Sequence, residues 1–437
     1  MNASASREQS RRHWALTALQ RYWPGQVDLI AQLPLPDCAV VTDASAPKLQ
    51  EIALPEWAQD LGVGRHLLVP ATAISATTER EVWRHCDWLN VIAWYLDAVA
   101  ERAHESRVGP IHSYAARLDN WDERLWSRAW VNRIALFLRR WAARQLGQDE
   151  VVVFGPLPAA RLVLTHDVDA LSKTFSIRLK QAMFQAFNSL RAVRDGDFAA
   201  ARRRSRQFLQ VLFSNESYWC FERIFALEKD AETESMFFFH ARNRGPRSLH
   251  LRVVDPAYDA ASAELKRALA LTQQHGAGVG LHPSYAAWQD EASLTRERQN
   301  LEALTQQPVR AVRQHWLRFS WQNTWTAQAR AGLSHDFTAA FNDRPGFRLG
   351  AALTFQPFDM HAQAEFVVTP TVMMDSQFYD YAEMSDTSRI AAMTYWVREL
   401  HDTRGEAAVI WHQQVFNRDY AWGAGYQALL GLLRASS

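Results

Sequence analysis

Apolar positions along the chain follow two rhythms. In the first third they recur every three or four residues, as in REVWRHCDWLNVIAWYLDAVAERA (80–103) and WSRAWVNRIALFLRRWAARQLG (126–147). That spacing predicts amphipathic helices, with Gly147 closing the second as a C-cap. Two short apolar runs in the same region, DCAVVTDA (37–44) and RHLLVPA (65–71), predict strands. The pattern breaks at QDEVVVFGPLPAA (148–160), where Gly155, Pro156 and Pro158 cluster. We place a domain boundary there: a mostly helical N-terminal domain with a few short strands over 1–155, and a second domain over 156–437.

From about residue 160, short apolar runs alternate with helical periods. The runs are RLVLTHD (161–167), MFFFHA (236–241), GVGLHP (278–283), VRAVRQH (309–315), AEFVVTP (364–370) and AAVIWHQ (407–413). Helical patterns such as SAELKRALALTQQHG (262–276) and SRIAAMTYWVRELHD (388–402) lie between them. Strand–helix alternation predicts an α/β fold with a parallel sheet, whose ligand site lies at the C-terminal ends of the strands. Those ends carry polar residues: His166, Asp167 and Asp169, then His240, His282, His315 with Arg318, and His412. A single histidine after a strand is usually a satisfied structural residue; several delivered to one rim point to a site. Strand side chains alternate, so Asp167 and Asp169 share one face and Val168 takes the other. Carboxylates beside imidazoles suit a divalent cation and proton transfer. The bland alternative for this stretch is a helix N-cap with a turn acid.

Composition narrows the classes. The 48 basic and 47 acidic side chains nearly cancel, which excludes the basic field of a nucleic-acid binder. The one basic cluster, Arg202, Arg203, Arg204 and Arg206, falls on a helical pattern; it reads as a solvated helix face, with an anionic ligand or a membrane surface as the sharper alternative. Cys38, Cys86 and Cys220 are few, scattered and odd in number, which suits a reducing compartment. The polar N-terminus lacks the apolar core of a signal peptide, and no run reaches the ~20 residues of a transmembrane helix. The expectation is a cytoplasmic protein without a transmembrane segment. Most of the 18 tryptophans read as core.

The ordered landmarks LTHDVD (164–169), GLHPSY (280–285), RQHWLRF (313–319), HDFTAAFNDRPGFRLG (335–350), TPTVMMD (369–375) and IWHQQVF (410–416) resemble those of the polysaccharide deacetylase (NodB-homology) family. They are most similar to a divergent branch with a helical N-terminal domain, linked to surface-polysaccharide biosynthesis. The resemblance spans about residues 160–435. It implies a distorted (β/α) barrel with fewer than eight strands and a hydrolase acting on an N-acylated sugar, which could be nucleotide-linked, lipid-linked or polymeric. It further implies Asp167 as general base and Arg313 or Arg318 orienting it. Asp336 would line the groove, and His412 would be the acid that protonates the leaving amine. A divalent metal, zinc by preference, would be held by Asp169 and His282, with His315 or His166 as the third ligand. Ser284, Tyr285, Arg348 and Asp375 are the substrate-binding candidates. A backbone N–H near His282 or Tyr285 would stabilise the oxyanion.

Two departures stand out. Val168 separates acids that the family keeps adjacent, and Ala286 stands where a second metal-binding histidine is usual. They keep open two rivals: a metal-independent amide or ureide hydrolase, and a catalytically inactive sugar-binding subunit of a polysaccharide assembly complex. The particular sugar, the acyl group and the oligomeric state are not legible in the sequence.

Overall fold

A computed structural model describes residues 3–38, 46–229, 235–243, 254–360 and 365–436. Most of the run expected as a strand at 37–44 lies outside the described residues. Strands β1 (Leu49–Ala53) and β2 (His66–Pro70) pair antiparallel in the N-terminal region. The long helical pattern at 80–103 is interrupted: helices Trp88–Leu96 and Val99–Val108 are separated by Ala98, which is left-handed at φ 46°. Helix Trp130–Gln145 forms as expected, and Gly147 follows it at φ 65°.

The second region is built on eight parallel strands: β3 (Arg161–Val168), β4 (Ser235–Phe239), β5 (Gly278–Leu281), β6 (Ala311–Val312), β7 (His335–Asp336), β8 (Val367–Val368), β9 (Thr371–Met374) and β10 (Glu406–Ile410). Their order is β8-β7-β6-β5-β4-β3-β10-β9. The sheet curls into a distorted (β/α) barrel. Arg313, just after β6, reaches Thr371 on β9 (3.3 Å), and Thr371 donates to the carbonyl of Phe337 beyond β7 (3.0 Å), although β6 and β9 are far apart in the strand order. Eight strands among the described residues exceeds the number expected. β7 is only two residues long and β9 shares its apolar run with β8, so neither stands out as a separate period.

The two-residue period of β3 explains the layering. Leu162, Leu164 and Val168 face outward into a cluster with helix residues such as Leu265, Leu269 and Leu429. Val163 faces inward with Phe238, Ala311, Phe337 and Ala408, which together plug the barrel below its rim. Gly280 on β5 makes room for this plug: a Cβ there would lie 2.5 Å from the Phe238 ring and 3.2 Å from the carbonyl of Ala311.

The N-terminal helices bury a core shared with residues 319–368, including Phe319, Trp321, Phe341 and Phe355. Buried ion pairs cross between the regions. Glu399 receives Arg133 (2.6 and 2.7 Å) and Arg128 (2.7 Å), and Glu101 receives Arg348 (2.9 and 3.0 Å).

Between β3 and β4 the chain inserts two helices, Phe175–Arg194 and Phe198–Phe213, which turn at Gly196 (φ 79°) and fold back on each other. Thr174 and Asp197 cap them through the amides of Ile177 and Ala200.

Gly280→Ala should destabilise the protein by about 1–3 kcal/mol through overpacking of the plug. Urea unfolding of the variant checks this; an unchanged midpoint would contradict the packing described.

Candidate active site

The inward parity of β3 that buries Val163 also aims Asp167 into the barrel. Its Oδ1 accepts from Arg313 Nη1 at 2.8 Å, and both groups are buried. Burial alone would raise the Asp167 pKa, but the charges of Arg313, His282 and His412 outweigh it and hold the carboxyl below its ordinary value. Arg313 is further fixed by the Phe337 carbonyl (3.2 Å), by Thr371 and by the Phe238 ring 4.5 Å below its guanidinium.

Asp169, His282 and His315 form a second group. His282 follows β5, and its Nδ1 donates to the Arg313 carbonyl (2.7 Å). His315 follows β6, and its Nε2 donates to the Val254 carbonyl (2.7 Å). Each imidazole therefore spends its outer proton on backbone and turns its other ring nitrogen inward. The inward atoms, His282 Nε2 and His315 Nδ1, are 2.8 Å apart and lie 3.4 and 3.6 Å from Asp169 Oδ1. That oxygen is buried and makes no hydrogen bond. Two ring nitrogens and a carboxylate oxygen at this spacing need a positive charge among them, a proton or a metal ion. Donors sharing a tetrahedral shell with bonds of about 2.0–2.1 Å lie about 3.3 Å apart, so the group fits a divalent cation. Where no ion is bound, a proton on an imidazole supplies that charge. Burial would raise the Asp169 pKa, but the surrounding imidazoles push it far down. Burial would lower that of His282, but Asp167 and Asp169 push it up.

His412, after β10, stands on the other side of Asp169, with Nε2 3.6 Å from Oδ2. Its Nδ1 meets Asp375 Oδ1 at 2.8 Å, and its backbone N–H donates to Asp375 Oδ2 at 2.6 Å. Desolvation acts against the charged ring, but Asp375, Asp169 and Asp167 overcome it and raise the pKa to about 10. His412 is thus an imidazolium near neutral pH. Because its pKa is raised above the ordinary 6.5, its stabilisation is complete below 6.5 and is lost as pH climbs through about 10.

Asp167, Asp169, His282, His315 and His412 all line one pocket of about 470 Å³ at the strand ends. Trp316, Tyr381, Tyr420 and Trp422 supply its aromatic walls. Trp316 and Leu317 are both left-handed, at φ 58° and 45°, a strained turn at the rim of the site. Asp380 lines the same pocket; burial pushes its carboxyl up to about 7 despite Arg204 nearby.

Several expected residues lie elsewhere. His166 has the outward parity: Nδ1 meets the Trp411 carbonyl (2.7 Å) and Nε2 meets Glu228 (2.8 Å), so it cannot be the third ligand. Arg318 packs 4.1 Å over the Tyr285 ring and donates to the Tyr285 carbonyl; Arg313 alone reaches Asp167. Asp336 is buried away from the pocket, accepting from Gln328 (2.8 Å), Thr338 (2.6 Å) and Trp325 (3.3 Å). Arg348 is consumed by Glu101 and Ser113 in the N-terminal contact. Ser284 is buried on Glu297 (2.5 Å), and Tyr285 gives its N–H to Asp255 (2.7 Å). The His282 N–H is committed to the Phe239 carbonyl, so neither expected backbone donor is available to an oxyanion. Asp375 touches His412 and is absent from the pocket lining. Trp316 and Gln414 were missed, although each sits within two residues of a strand-end histidine.

No protein-family model matches the chain, and no curated protein does. Among solved structures it is similar to a candidate polysaccharide deacetylase from Mycobacterium smegmatis. That match has 14% identity over 64% of this chain and 86% of that one, with a TM-score of 0.35. It is also similar to a mutant CE4-family pseudoenzyme with restored enzymatic activity, at 12% identity over 64% of each chain and a TM-score of 0.31. The wild-type CE4-family pseudoenzyme from Bacillus anthracis aligns at 12% identity over 64% of this chain and 63% of that one, with a TM-score of 0.29. The aligned part is under two thirds of either pseudoenzyme.

Zinc titration monitored by calorimetry should show one site. His315→Ala should weaken it by at least about 100-fold, beyond the 10–100-fold typical of a lost outer partner, whereas His166→Ala should leave the affinity intact. Equal loss in both variants would contradict the parity assignment. In metal-free protein, NMR titration should find the His412 imidazole still protonated at pH 8. Asp375→Asn should bring its pKa down towards 6.5; no change would remove Asp375 as the source of the shift.

Proposed function

We propose that the chain is a metal-assisted hydrolase that removes an acyl group, acetyl or formyl, from the nitrogen of a sugar. The carrying observation is the arrangement around one pocket: a carboxylate paired with arginine, Asp167, and an imidazole gripped by a carboxylate, His412, flank three donors whose spacing fits a cation. Amide hydrolysis needs a base for water and an acid for a poor amine leaving group, each in the opposite protonation state at the same pH.

Asp169, His282 and His315 would hold the ion, with His315 supplying the donor that Ala286 does not. A divalent cation there supplies Lewis-acid polarisation of the acyl carbonyl and acidification of water. Asp167, kept ionised by Arg313, takes the proton of the attacking water. His412, kept charged and oriented by Asp375, delivers a proton to the departing nitrogen. The aromatic walls favour the apolar faces of a sugar ring, and the pocket volume falls in the range of small-molecule sites.

The reading is tested by acetate and formate release from a panel of N-acylated amino sugars, with and without added zinc. Wild type should release acid. Asp167→Asn and His412→Ala should each lower the rate by about 10²–10⁴-fold. Full activity of Asp167→Asn would refute the assigned base. Sugar binding without release, unaltered in Asp167→Asn, would favour the inactive binding subunit.

A further inference from the structure

The inserted helix pair presents a surface that folding does not account for. Of eighteen large apolar side chains that are exposed among the described residues, ten lie between Phe175 and Phe213. On the first helix Phe175, Leu179, Met183, Phe187 and Leu190 recur at steps of four, four, four and three, which places them in one stripe; Phe175 is 77% exposed and Leu190 71%. The flank beside the stripe, with Ala182 and Gln185, is buried. On the second helix Phe198, Arg202, Arg206, Leu209 and Phe213 form a comparable stripe; both end phenylalanines are 73% exposed. Arg204 points the other way and anchors the pair to the body through Glu383 (2.6 Å) and the Tyr379 carbonyl (3.2 Å).

Charge selects the occupant. Residues 175–213 carry eight basic and two acidic side chains in a chain of net charge +1, so the remainder is net acidic. Arg202 and Arg206 are exposed and have no ion pair among the described residues. Phenylalanine and leucine interleaved with arginine on a solvent face suit the boundary between lipid headgroups and acyl chains, where rings enter and guanidinium groups stay with phosphate. No helix among the described residues is long and apolar enough to cross a membrane, so the surface would lie on a bilayer rather than span it. The stripe is also continuous with the active site: Met183 belongs to it and lines the pocket together with Gln181 and Phe184.

We propose that the helix pair 175–213 seats the protein on an anionic bilayer, bringing the pocket to the lipid surface. The acylated sugar it hydrolyses would then be one carried on a lipid anchor, a clause that rests on the hydrolase reading above.

Vesicle flotation of the full-length protein tests the seat. Wild type should float with phosphatidylglycerol–phosphatidylethanolamine vesicles, at least about 10-fold less with phosphatidylcholine alone, and less again as salt is raised. A Phe175→Gln, Leu179→Gln, Phe187→Gln, Leu190→Gln variant should stay unbound, and Arg202→Glu with Arg206→Glu should lose about 10-fold. All four apolar sites are exposed, so circular dichroism and the melting midpoint should be unchanged. Wild type that fails to float, or a fourfold variant that floats equally, overturns the proposal. So does a wild-type dimer in sedimentation that the fourfold variant dissociates, without vesicle binding, because the stripe then covers a second copy. Asp167→Asn should float as wild type, which separates the seat from the chemistry.

For the substrate clause, an N-acetylhexosamine joined through phosphate to a long alkyl chain in vesicles is compared with the same sugar phosphate in solution. Wild type should favour the anchored form, and the fourfold variant should lose that preference while cleaving the soluble form at an unchanged rate. Equal use of both forms by wild type removes the lipid-anchor clause alone; cleavage of neither removes the hydrolase reading.

Discussion

The buried pair between Arg313 and Asp167 is the interaction on which the site depends. Removing both charges from water is expensive, and such a pair is sustained only when its geometry and remaining hydrogen bonds are good. Here each guanidinium nitrogen has a partner, and the plane has a ring beneath it: Asp167 on β3, the Phe337 carbonyl beyond β7, Thr371 on β9 and the Phe238 face on β4. These groups come from strands as far apart in the sheet order as β7 and β9, so one side chain draws the curled sheet together at its rim. The same residue sets the next layer. Its backbone carbonyl takes the Nδ1 proton of His282 and so turns Nε2 towards Asp169.

This arrangement divides labour by position. Asp167 is ionised because Arg313 lies beside it; His412 is protonated because Asp375 grips both its ring and its amide. Asp169 sits between them, low in pKa and short of a donor on Oδ1. In the proposed reading, the absence of a histidine at 286 would be made good by His315. His315, at the end of the next strand, offers a ring nitrogen 2.8 Å from that of His282. The barrel brings successive strand ends to the same rim, which is why residues after β5 and β6 meet there.

Much of this was legible from period and position. Two-residue alternation through Leu162 to Asp169 correctly separates inward acids from outward leucines. Applied strictly, it also excludes His166, whose chemical suitability as a ligand is overruled by its parity. What the sequence does not reveal is the partner of each long side chain. Arg313 and Arg318 are equally plausible by spacing, and the choice is made by β6 ending at Val312, which leaves Arg313 at the rim and carries Arg318 on to Tyr285. Asp336 and Arg348 are likewise drawn away by Gln328, Thr338 and Glu101, contacts of tertiary packing with no local signature. The short strand β7 escapes notice because its two residues, His335 and Asp336, are both polar. The helix at 175–194 shows a separate point: an apolar stripe at helical spacing is here an exposed face.

The central claim is that a carboxylate kept ionised by Arg313 lies beside a cation site made by Asp169, His282 and His315. Anomalous diffraction at the zinc edge, from crystals grown with zinc, addresses it directly. The account predicts a single strong peak among His282 Nε2, His315 Nδ1 and Asp169, with Asp167 still paired to Arg313. A peak at another site, or none at saturating zinc, would contradict it.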